Sequence, residues 1–74
     1  MKGEIDTNLF VEIIQTDGVT FLHSDIIDGD RIEYYHGPSG KKVPITMSDE
    51  FLTERNAKSL LRQLGMEDLA DRIF

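Results

Sequence analysis

The sequence predicts an α+β domain: a helix, three antiparallel strands and a second helix in succession, with a short C-terminal helix and both main helices on one face of the sheet. Three observations predict it. Residues 8–16 place Leu9, Phe10, Ile13 and Ile14 at i, i+1, i+4 and i+5, one helical face. From Val19 the pattern shifts to period two, interrupted by Asp28-Gly29 and Gly37-Pro38-Ser39-Gly40. Helical spacing then returns in Ala57, Leu60, Leu61 and Leu64. With 74 residues the chain is expected to form one domain, 1–74, too small for a second core or a large cofactor cavity.

For the first helix, Asp6 or Thr7 is placed to cap the start and Gly18 to end it. The β-branched residues here and the Asp17-Gly18 pair also allow a strand, which would turn the sheet into a four-strand meander. In the expected hairpin, Val19, Phe21 and His23 face one way, and Ile32, Tyr34 and His36 follow the Asp28-Gly29 turn on one side of the next strand. Tyr34 and Tyr35 face opposite ways, so one belongs to the core. Residues 41–47 form the third strand, with Val43, Ile45 and Met47 on one side, and Pro44 lacks the N–H of a ladder donor, so this strand lies at an edge. Residues 48–53 are expected to be a connector, with Thr53 or Asn56 capping the helix that follows. On that helix the apolar residues centre at about 190° from Arg55, while Arg55, Lys58 and Arg62 lie within about 60° of it. Gly65 ends the helix, and Met66, Leu69, Ala70 and Ile73 suggest one more short helix.

Fourteen acids against eight bases give a net charge of −6. The excess lies entirely in residues 1–40, which hold eight acids and two bases, whereas residues 41–74 hold six of each. Such a charge disfavours RNA, and no DNA or membrane partner is expected. Cysteine is absent, which removes disulfides, thiolate metal sites and thiol catalysis, and two histidines alone do not make a zinc site. Asp25, Asp28 and Asp30 surround a glycine without the spacing of a metal loop and read as turn chemistry. No cofactor or metal is expected, and the polar, acidic start points to a cytoplasmic protein.

Phe10-Val11-Glu12-Ile13-Ile14-Gln15-Thr16-Asp17-Gly18, then Tyr34-Tyr35-His36, a glycine-containing turn, Lys41-Lys42-Val43 and Pro44, and finally Lys58-Ser59-Leu60-Leu61-Arg62-Gln63-Leu64-Gly65-Met66, follow one another in the order and spacing of a known family. Over roughly residues 10–66 the chain resembles the HicA-type (YcfA-like) mRNA interferase toxins of bacterial toxin–antitoxin systems. The resemblance implies a double-stranded-RNA-binding-like fold and an antitoxin-like protein partner. Counted back from His36 without a gap, the family's Gly-Ser-His, which carries the catalytic histidine, falls on Gly29-Asp30-Arg31. A guanidinium stays protonated and cannot shuttle a proton, so a diverged, noncatalytic member is the leading expectation.

The alternative is a ribonuclease. Cleavage through the 2′-hydroxyl can be run by one imidazole titrating near neutrality, which makes His23 and His36 the candidates. Each is placed on a strand, where a partly buried, hydrogen-bonded histidine is the ordinary outcome. Gly37-Pro38-Ser39-Gly40 before Lys41-Lys42 has the Gly-x-x-Gly form that KH domains use on nucleic-acid backbones, but that loop joins helices and this one joins strands, so a turn is expected. A helix-turn-helix over residues 53–74 is disfavoured by Glu67, Asp68 and Asp71. The residues expected to hold a phosphate or a partner are Arg31, Lys41, Lys42, Arg55, Lys58 and Arg62, the last three as a stripe meeting an acidic surface.

Overall fold

The computed structural model describes residues 3–74. Its elements run β1 (Glu4–Asp6), α1 (Thr7–Thr16), β2 (Thr20–Ile27), β3 (Asp30–His36), β4 (Lys42–Thr46), β5 (Phe51–Thr53), α2 (Glu54–Leu64), a 3-10 turn (Glu67–Leu69) and α3 (Ala70–Ile73). Strands β2, β3 and β4 form an antiparallel sheet in that order. The fold class is therefore α+β, and residues 8–16 lie in a helix rather than a strand.

Local chemistry explains the helix ends. An Asp6 side-chain oxygen accepts from the Leu9 N–H at 3.0 Å, and Thr53 Oγ1 accepts from the Asn56 N–H at 3.1 Å, each satisfying a donor that the first turn leaves free. Gly65 closes α2 in the left-handed conformation, φ 84°. In the hairpin, Asp28 and Gly29 both have positive φ, 51° and 83°, the pattern of a two-residue turn whose twist matches its strands. Strand β4 is an edge, as Pro44 requires.

Three expectations are corrected. Residues 48–53 are not a simple connector: β5 pairs antiparallel with β1, Ile5 opposite Leu52. Because β1 runs directly into α1 and β5 into α2, this ribbon holds the starts of both helices together. Thr7 N–H donates to the Glu50 carbonyl at 3.0 Å, and Glu54 N–H to that of Gly3 at 2.7 Å. Second, the apolar face of α1 divides. Phe10, Val11 and Ile14 are buried, whereas Leu9 is 48% exposed and Ile13 only partly covered. Third, β2 does not keep one phase. Phe21 is opposite Tyr35 but His23 is opposite Tyr34, so Leu22 is an extra residue in a bulge and Phe21 and His23 face opposite sides. The short C-terminal helix expected after Gly65 is present as α3, entered through a 3-10 turn.

The core lies between the helices and one face of the sheet. Phe10 and Ile14 of α1 and Leu61 and Leu64 of α2 are fully buried, with Tyr35, Val43 and Ile45 from the strands. Tyr35, not Tyr34, is the core tyrosine. Its hydroxyl donates to Glu33 Oε1 at 2.6 Å, and burial first, then this carboxylate, raises its pKa well above that of a free phenol.

Thr7 is buried, yet its Oγ1 has no hydrogen-bond partner among the described residues. An unpaired buried hydroxyl costs about 1–3 kcal/mol, and valine has nearly the same shape. Thr7→Val is therefore expected to raise stability by about 1 kcal/mol in urea denaturation, and a loss of stability would show that the hydroxyl is satisfied.

Candidate functional site

The two faces of the β2–β4 sheet differ. One packs on the helices; the other carries His23, Tyr34, His36, Lys42 and Pro44, which share a side by the strand register. The His23 and Tyr34 rings are stacked, with centroids 4.5 Å apart and planes 28° apart. Lys42 Nζ lies 4.8 Å from the Tyr34 centroid and 3.2 Å from His23 Nε2. An ammonium only donates, so Nε2 is the accepting atom in this contact. The bulge at Leu22 makes this cluster: without it His23 would share the face of Phe21, whose ring meets Tyr35 edge-on at 5.6 Å.

The cluster therefore unites three sequence-stated candidates, His23, His36 and Lys42, on one exposed surface. The remaining candidates are dispersed. Arg31, five residues before His36 on the same strand, points to the other face by strand alternation, and its backbone is tied to Ser48 Oγ and the Met47 N–H, both at 2.8 Å. Lys41 follows a turn that has a structural task. Ser39 N–H donates to the Leu64 carbonyl at 3.0 Å and Ser39 Oγ donates to that of Gln63, so residues 37–40 cap the end of α2. This is the turn reading of the Gly-x-x-Gly segment. Arg55, Lys58 and Arg62 are exposed on α2, but Lys58 is already paired with Glu54 at 2.6 Å, which weakens the stripe.

Two surfaces lie outside the sequence-stated candidates. Strand β2 is exposed at all eight positions, and Phe21, Leu22, Ile26 and Ile27 are large apolar residues between 42 and 74% exposed. Its outer edge pairs with no strand among the described residues. A groove of about 660 Å³ lies elsewhere, bounded by α1, the β1–β5 ribbon and the chain's last turns. Its apolar lining includes Leu9, which the core leaves exposed, and Ile13, which packs partly against the core. The sequence signal was present in both cases: an apolar arc on α1 wider than one packing face needs, and apolar residues in both phases of β2.

Comparisons of the chain with family models, with curated proteins and with solved structures returned no match. Among the described residues, no helix is long and apolar enough to cross a membrane, and no three histidine, aspartate or glutamate side chains gather as metal ligands would.

Proposed function

We propose that this domain is a noncatalytic, HicA-like interaction module with a double-stranded-RNA-binding-like fold, and that β2 is where it meets an antitoxin-like protein partner. The single observation that carries this reading is the long, apolar β2 edge, which the bulge at Leu22 and the charge of Asp25 guard only in part. Edge strands are normally protected by brevity, proline, charged side chains or a bulge. The other edge, β4, follows that rule with five residues including Lys42 and Pro44. Strand β2 has eight residues, four of them exposed and apolar, and no lysine or proline. A partner strand added there would satisfy its free backbone groups and cover that apolar surface. The basic stripe on α2 would then steer encounter rather than supply most of the affinity.

A ribonuclease using His23 is the second reading, favoured by the His23–Lys42 contact: an imidazole beside an ammonium over an aromatic ring is chemically suited to an RNA phosphate and base. Lys42 Nζ, however, lies 3.2 Å from His23 Nε2, so a substrate could reach that nitrogen only if Lys42 moved.

The test is co-purification from the native cell together with an RNA-cleavage assay. A Leu22→Lys, Ile26→Lys variant is expected to keep its circular dichroism spectrum and lose the co-purified partner by at least about tenfold, since burying each aliphatic side chain is worth about 1.5–3 kcal/mol. No RNA cleavage is expected. Cleavage abolished by His23→Ala or His36→Ala would overturn the noncatalytic reading, and a partner retained by the double-lysine variant would overturn the assignment to β2.

A further inference from the structure

The groove beside α1 shares no residue with the β2–β4 sheet, so what it binds is a separate question. Along α1 its wall is Leu9, Glu12, Ile13 and Thr16, a span of about 10 Å or two helical turns, with Asp17 at the cap that follows. Its opposite side is built from Phe51 of β5 and from Leu69 and Ile73 at the end of the chain. Leu9 and Phe51 are 48% and 46% exposed, so apolar surface faces water on both sides.

The rim decides what can cover it. Among the described residues, four carboxylates, those of Glu4, Asp6, Glu12 and Asp17, border the groove against one guanidinium, Arg72. Arg72 is paired with Asp17 at 2.8 Å and so cancels one of them. Nucleic acid, anionic lipid and acidic peptides would all meet like charge over an apolar floor. A chain with apolar residues on one side and lysine or arginine flanking them would meet complementary charge and fill the floor at once.

We propose that this groove docks a basic amphipathic helix, with apolar anchors between α1 and α3 and basic residues against Glu4 and Glu12. Along α1, Phe10 and Ile14 then serve the core, Leu9 serves the docked segment, and Ile13 borders both.

Two synthetic 15-residue helical peptides test it, one of leucine and lysine and one of leucine and glutamate with identical apolar positions. Each is titrated into the isotopically labelled full chain while backbone amide shifts are followed. The lysine peptide is expected to move amides of α1, β5 and α3, with affinity that falls as salt rises, and the glutamate peptide to leave them in place. Leu9→Ser, at an exposed position, is expected to keep the fold and weaken binding about tenfold, the value of one buried leucine. Glu4→Gln with Glu12→Gln is expected to flatten the salt dependence. The proposal is overturned if the lysine peptide does not bind, if both peptides bind equally, if the shifts gather around Asp25, Asp28 and Asp30, or if Leu9→Ser binds as the native chain does. None of these results depends on β2, so this proposal and the partner assignment fail separately.

Discussion

Phe10→Ala is expected to lower the thermal midpoint by on the order of 20 °C. Phe10 is fully buried, in the core cluster that also holds Leu61 of α2 and Tyr35 of β3. Removing such a ring leaves a cavity and costs about 3–5 kcal/mol. At about 0.05–0.15 kcal/mol per residue the whole chain has only a few to about 11 kcal/mol to lose. One kilocalorie moves the midpoint of a domain of this size by about 4–8 °C. The neighbouring Leu9→Ser gives the contrast, since Leu9 is half exposed and outside the core. A scanning calorimetry or circular dichroism melt in which Phe10→Ala loses less than about 5 °C, or no more than Leu9→Ser, would show that α1 is not the keystone of the core.

Gly65→Ala is expected to be the most damaging glycine substitution among those at positive φ. A Cβ there would lie 2.8 Å from the Ser39 nitrogen and 3.1 Å from the Ser39 Cβ. The 37–40 turn would have to lift off the end of α2, losing the bond from Ser39 N–H to the Leu64 carbonyl. The left-handed backbone alone costs a side-chain-bearing residue about 1–2 kcal/mol, and each lost hydrogen bond adds about 1. Gly40 provides the internal control: its φ is +80°, but a Cβ would meet nothing within 4 Å. Urea denaturation is expected to show Gly65→Ala less stable than Gly40→Ala by at least about 1 kcal/mol. Equal losses would mean that the turn does not press on the helix, and the capping role assigned to Ser39 would fall with it.

The structure distributes the basic residues and histidines unevenly. His23, His36 and Lys42 are brought together, whereas Arg31, Lys41 and the α2 stripe are spread over other surfaces. The acidic groove was not among the candidates, because its lining comes from β1, α1, β5 and the end of the chain. None of these segments forms the groove by itself.

What the sequence determined by itself is local. Asp6, Thr53 and Gly65 mark the helix ends because a cap is an interaction across three or four residues. Asp28-Gly29 makes its own turn, and Pro44 excludes β4 from the sheet centre. What only the tertiary structure decided is long-range or a matter of phase. Three-residue strands have no readable period, so the pairing of β1 with β5 existed only once Ile5 and Leu52 met. A single extra residue at Leu22 reverses every side chain after it without altering composition, and this placed His23 against Tyr34 and Lys42. The division of the α1 face was settled the same way: helical periodicity gives the width of an apolar arc, but packing by α2 and the sheet decides which half is core and which half faces water.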